Sequence, residues 1–116
     1  MTQSDLYETD RIGDIFVIRF LKAQMLDANL IPTRQDEIKQ LIATSDAARI
    51  VLDLSNIGFL CSTGLGMLVA VHNHCSGLGR TLELCSPQPQ ILEMMTIMMF
   101  QKLFPIHDSL ATACSR

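Results

Sequence analysis

The sequence predicts a single α/β domain: a mixed central sheet of about four to five strands with about four helices packed against it. Three observations predict it. Short runs rich in β-branched or aliphatic residues recur at 14–20, 50–54 and 80–85. The stretches between them carry apolar residues at helical spacing. The first twenty residues hold two strand-like runs, 6–11 and 14–20, close enough around Gly13 and Asp14 to pair as a hairpin. A hairpin followed by alternating strands and helices makes a mixed sheet, with right-handed crossovers between its parallel members. The 116 residues suit one domain, 1–116, with no repeat, linker or low-complexity stretch.

The elements follow in order. Residues 21–28 read as a loop. A helix starts between Asn29 and Thr33, because Pro32 fits only a first turn, where its missing N–H is not needed. Ile31, Ile38, Leu41 and Ile42 fall on one face of it. Ile50 to Leu54 is a nearly continuous apolar strand, the pattern of a sheet centre. After the loop from Ser55 to Cys61, Ser62 opens a helix running to about Ser76, ended by Gly77 and Gly79. Leu65, Met67, Leu68, Val69, Ala70 and Val71 make that helix apolar almost all round, so it is buried or covered by a partner. Arg80 to Cys85 is a further strand. Ser86 and Pro87 read as the cap and first residue of a third helix, with Ile91, Met94, Met95 and Met98 facing inward. Phe104 to Ile106 reads as a short edge strand. Asp108 or Ser109 caps a last short helix through Ala113.

Composition narrows the function. Hydrophobic residues make up 48% of the chain, so it can bury a core without staples. Trp is absent and aromatics are few, so that core is aliphatic, with seven Met residues supplying volume. The formal net charge of −3 argues against direct binding of nucleic acid or of an anionic membrane surface. No apolar run approaches the roughly 20 residues of a membrane span. The segment Met1 to Arg11 is acidic and polar and does not resemble a signal peptide, which points to the cytoplasm. Cys61, Cys75, Cys85 and Cys114 therefore read as buried or free thiols, and no Cys-x-x-Cys suggests zinc.

The segment from Val51 to Gly66, VLDLSNIGFLCSTGLG, carries the functional signal. A buried strand ends in Asp53-Leu54-Ser55. Phe59 follows in the loop, and Ser62-Thr63-Gly64-Leu65-Gly66 opens a helix. A hydroxyl at such a junction can cap the helix. The two glycines keep side-chain bulk away, so another protein can approach. A phosphate there would lie beside the positive end of the helix dipole, which the fold tolerates.

This pattern resembles the signature of the STAS domain, in which a strand ending Asp-Leu-Ser leads through a Phe to Asp-Ser-Ser/Thr-Gly-Leu-Gly. Ser86-Pro87 and Leu103 to Leu110 extend the resemblance over the whole chain. As a free-standing domain, it is most similar to the anti-sigma factor antagonists. The resemblance implies partner switching: the protein binds an anti-sigma factor that is also a serine protein kinase, freeing a sigma factor for transcription. The kinase phosphorylates Ser62, with Thr63 the weaker candidate, and a PP2C-type phosphatase resets it. The partner-binding residues it implies are Phe59, Leu60, Cys61, Ser62, Thr63, Gly64, Leu65 and Gly66, with Asp53 and Ser55 shaping the loop. Two positions depart from the pattern. Cys61 stands where the family usually has Asp, and Met99 where it often has Gly.

Other readings are weaker. Cys61 at a helix start could be a redox sensor, though a small half-buried residue explains it. His72, His74 and Cys75 do not share a helix face as a metal site requires. Gly64-x-Gly66 lacks the third glycine or the lysine of a phosphate loop, and no Gly-x-Ser-x-Gly elbow marks a hydrolase. No enzyme activity and no cofactor are therefore expected. The cluster Met94, Met95, Met98 and Met99 is read as core packing, with a homodimer contact as the alternative. Two alternatives to switching remain: a non-switching scaffold subunit of a stress-signalling complex, and a small-ligand-binding module.

Overall fold

The computed structural model describes residues 6–22 and 27–115. Five strands form one sheet: β1 (Tyr7–Ile12), β2 (Ile15–Phe20), β3 (Arg49–Asp53), β4 (Thr81–Cys85) and β5 (Ile106–His107). Their spatial order equals their chain order. β1 and β2 pair antiparallel, and β2 to β5 run parallel. The expected hairpin turns at Gly13 and Asp14, with Gly13 in the left-handed region at φ 61°. Part of the expected loop at 21–28, residues 23–26, lies outside the described residues.

Helices α1 (Ile31–Ala43), α2 (Ser62–Gly77) and α3 (Pro89–Ile97) connect the parallel strands, and α4 (Leu110–Cys114) follows β5. Three right-handed crossovers that all step in the same direction place their helices on one face of the sheet. The core agrees. Phe16, Ile18, Ile50, Leu52, Leu82 and Leu84 point to the face that packs against Ile38 and Ile42 of α1, Leu65, Leu68 and Val71 of α2, and Ile91 and Met95 of α3. On the other face, Ile15, Val17, Val51 and Cys85 pack with Ala113 of α4. The alternation along β2, β3 and β4 is the period of two that a sheet covered on both faces requires.

Several details differ from the sequence reading beyond shifts of one residue at strand ends. Ser86 does not cap α3: its φ is 59°, in the left-handed region. Gln88 is the cap, and Pro89 the first helical residue. A residue before proline is pushed to an extended backbone, so Gln88 cannot be helical and the helix waits for the second proline. Met98 is not on the inner face. It lies past the end of α3 and is exposed, as are Ile97 and Met99. The last strand begins at Ile106, not Phe104, whose ring is buried in the core. Pro105 has no N–H to give, but its carbonyl accepts from Leu84 N at 3.0 Å. Elsewhere the chemistry is as expected. Gly79, at φ 74°, ends α2 with Gly79 N to Ser76 O and Arg80 N to Cys75 O, the two bonds of a Schellman motif. Ser109 caps α4 by accepting from Thr112 N at 3.1 Å.

The second face holds a buried ionic cluster. Arg49 grips Glu83 with two bonds of 2.7 Å and donates to Ala113 O at 2.9 Å. His107 Nε2 lies 2.8 Å from the same carboxylate. An ionised carboxylate only accepts, so Nε2 carries the hydrogen. Burial by itself would push the Glu83 pKa up. The hydrogen bonds from Arg49 and then His107, with the attraction of the Arg49 charge, hold it down at about 2. The cluster ties β3, β4, β5 and α4 together.

A folded-state pKa below the unfolded one means stabilisation that is complete above the unfolded value of 4.5 and lost as pH falls toward 2. Acid titration of unfolding should show this limb in the wild type and lack it in Glu83→Gln. At neutral pH that variant, which leaves Arg49 short of its partner, should be less stable by about 3 kcal/mol in urea unfolding.

Candidate functional site

The site is built at the C-terminal end of β3, where the chain leaves the sheet and enters α2. Leu54, Ile57 and Leu60 are fully buried and pin the loop to the core from beneath. Leu54 N donates to Cys85 O, and Ile57 N to Leu54 O, both at 3.0 Å. Asn56 Nδ2 donates to Phe20 O at 2.9 Å, tying the loop to β2, and Gln88 Nε2 donates to Ser55 O at 3.1 Å, tying it to the start of α3. The buried Asp53 holds both sides: Oδ2 accepts from Arg19 Nε at 2.8 Å, and Oδ1 accepts from Ser55 N at 2.9 Å. The second contact is an Asx turn, which bends the chain off the strand. Asp53 and Glu8 together raise the pKa of Arg19, the bond to Asp53 foremost.

Along this fixed loop the predicted residues divide in two. Phe59 is 58% exposed, a large ring in solvent. Ser62, Thr63 and Gly66 are exposed and Cys61 is half-buried. Leu60, Gly64 and Leu65 are buried. Those three are not exposed on the domain by itself: a strand-to-helix junction over a core must turn some of its residues inward, and they support the others from below.

Ser62 differs from the expected cap. The N-cap is Cys61, extended at φ −86° and ψ 172°, and its carbonyl accepts from Leu65 N at 3.0 Å. Ser62 is one residue further on, the first of the helix proper, and its hydroxyl makes no hydrogen bond among the described residues. Helix geometry leaves the N–H groups of Ser62, Thr63 and Gly64 without intrahelical partners. An exposed hydroxyl therefore stands beside the positive end of the α2 dipole.

No other chemistry converges here. Among the described residues no group of three or more His, Cys, Asp or Glu is placed to hold a metal ion. His72 packs edge-on against Phe104, ring centroids 5.5 Å apart. None of the four cysteines is in a disulfide, and burial pushes the Cys75 and Cys85 thiols up to about 11, so neither ionises near neutral pH. No described helix is long and apolar enough to cross a membrane.

The model of the STAS domain family matches residues 6–113. The chain belongs to the STAS domain family. Among its relatives, a STAS-domain containing protein of Pseudomonas aeruginosa is 34% identical over 50% of this chain and 57% of that protein. BtrV of Bordetella bronchiseptica, provisionally named an anti-sigma factor antagonist, is 30% identical over 58% of each. The chain thus matches somewhat over half the length of these curated relatives. A crystal structure of a Thermotoga maritima protein, likewise provisionally named an anti-sigma factor antagonist, superposes with a TM-score of 0.83 at 17% identity, over 94% of this chain and 92% of that one. At that identity the likeness is one of fold: a five-stranded mixed sheet with four helices.

Sequence reasoning missed how this STAS domain fastens its loop. Arg19, Asn56 and Gln88 come from three separate segments, and no local pattern marks them. The Asp53-x-Ser55 spacing was legible, since Asp commonly bonds the backbone two residues on. Asp53→Ala should lower stability by about 3 kcal/mol, because it leaves Arg19 and Ser55 N without their acceptor. It should also speed hydrogen exchange of the amides at 55–61. Arg19→Gln keeps the Ser55 contact and should leave that exchange slow. Equal exchange in Asp53→Ala and wild type would show that the loop is fixed by its apolar anchors alone.

Proposed function

We propose that this domain is an anti-sigma factor antagonist that works in the cytoplasm by protein–protein contact and is switched by phosphorylation of Ser62. The observation that carries the reading is the exposed Ser62 hydroxyl at the first helical position, on a loop fastened at Asp53, Asn56 and Gln88. A serine kinase needs an acceptor that it can approach and that stays in place. Gly66 and the small Thr63 leave room for that approach, and Phe59 offers an apolar anchor for a docked partner. In the transfer, the Ser62 oxygen bonds to the γ-phosphorus of ATP held by the kinase. The bond to the β-phosphate oxygen breaks, ADP leaves, and the hydroxyl proton passes to a base of the kinase. The domain supplies only the acceptor.

The phosphate would bring about −1.5 to −2 charges to a point beside unpaired helix N–H groups. The helix dipole accommodates that charge. A desolvated partner surface packed over the turn does not, so the partner leaves. A PP2C-type phosphatase would restore the binding form. Relatives named as anti-sigma factor antagonists support the partner class, an anti-sigma factor; its serine kinase activity belongs to the Ser62 reading.

One observation favours a second reading. Cys61 stands where the family pattern carries Asp, so a carboxylate that could orient the acceptor is missing. A domain without it could serve as a scaffold subunit that keeps its partners in every state.

The two readings separate with purified anti-sigma kinases from the source organism. Switching predicts phosphate on wild type at Ser62 by mass spectrometry and none on Ser62→Ala. It predicts tight kinase binding by wild type and Ser62→Ala, and binding weaker by roughly 100-fold for Ser62→Asp. Stable multimers with no phosphate uptake, and kinase affinity indifferent to Ser62→Asp, would establish the scaffold.

A further inference from the structure

A groove between α1 and α2 runs up to the Ser62 turn. Its walls are Ile31, Pro32, Gln35 and Asp36 from α1 and Thr63, Gly66 and Met67 from α2, around a volume of about 480 Å³. Thr63 belongs both to this groove and to the exposed turn, so the two form one continuous surface.

Gly66 has no structural reason to be glycine. Gly13 and Gly79 occupy left-handed backbone that other residues resist. Gly66 sits inside α2 without such a conformation, and a Cβ built on it would meet nothing within 4 Å. Glycine in a helix interior is destabilising relative to alanine. The space above it serves no packing within the chain, and a side chain there would fill the groove.

The rest of the lining indicates what the space accepts. Ile31 and Met67 are buried and form an apolar base. Among these wall residues Asp36 alone is charged. It is exposed and has no ion-pair partner among the described residues, whereas its neighbour Glu37 is held by Arg34 and Tyr7. A groove with an apolar base, polar Gln35 and Thr63 in its walls and one unpaired carboxylate matches a side chain with an aliphatic stem and a cationic head.

We propose that the groove receives an arginine or lysine side chain of the same kinase that docks on Ser62. Its stem lies over Gly66 between Ile31 and Met67, and its charge meets Asp36. This inference rests on the Ser62 reading and assigns the second contact of that partner. The contact lies beside the acceptor but is not the acceptor, so it sets the register in which Ser62 is presented.

The probe for the groove itself is n-butylguanidinium, titrated into the ¹⁵N-labelled full chain. Saturable amide shifts are expected in 31–36 and 63–67, absent with n-butanol. Gly66→Leu should abolish them and Asp36→Asn should weaken them several-fold, with melting temperatures no lower than wild type. Gly66→Ala, the smaller step, should weaken them less, which keeps the test open if the leucine variant folds poorly. With the purified kinase, Gly66→Leu should lower affinity by roughly tenfold or more, because the groove is then blocked. Asp36→Lys should lower it as well. Absence of shifts at these residues, or kinase binding unchanged in Gly66→Leu, overturns the proposal. A groove that binds the guanidinium on a chain no kinase engages overturns the Ser62 reading and, with it, the assigned occupant.

Discussion

Asp53 is the constraint on which the working end of the domain depends. It lies at the end of the central strand, buried, with one carboxylate oxygen on Arg19 and the other on the backbone of Ser55. A buried carboxylate is costly unless its oxygens are satisfied, and here each has a partner. Arg19 in turn bonds Glu8 on the outer strand. A chain of charge-assisted contacts thus runs from the sheet edge, through β2 and β3, into the loop that precedes α2. The loop is exposed along its top, yet its start is as well defined as the sheet.

The two faces of the sheet solve different problems. The helical face is apolar, with Phe16, Phe20, Phe100 and Phe104 among its aliphatic residues, and α2 lies on it with Leu65, Leu68 and Val71 inward. That packing sets where the first turn of α2 projects. The opposite face carries Arg49, Glu83 and His107, and its cover is the short α4. Chain-ordered strands with same-handed crossovers leave that second face to the last helix. Its polar residues are tolerated because they bond one another and the Ala113 carbonyl. Ligands and partners of open α/β sheets meet the ends where strands give way to helices, and Ser62 stands at such an end.

Helix starts show where local reading succeeds and where it stops short. Pro32 was enough to place α1 within two residues, since a proline tolerates only a first turn. The same rule applied to Pro87 gave a start two residues early. Gln88 is itself followed by proline and must be extended, a constraint that overrides the first proline. Spacing predicts Met98 inward, yet the helix ends before it, and periodicity says nothing once the helix has stopped.

The sequence by itself determined the class of fold, the order of its elements and the segment that carries the site. Strand alternation, helical spacing and the run from Asp53 to Gly66 are all local, and local patterns can be read in one dimension. Tertiary structure alone decided which of those residues meet solvent. Leu60, Gly64 and Leu65 turn inward while Phe59, Ser62, Thr63 and Gly66 turn outward, because the core beneath the junction must be filled. It also decided the anchors at Arg19, Asn56 and Gln88, the Arg49–Glu83–His107 cluster, and the groove shared by α1 and α2. Each joins residues far apart in the chain, and only closure of the sheet brings them within bonding distance.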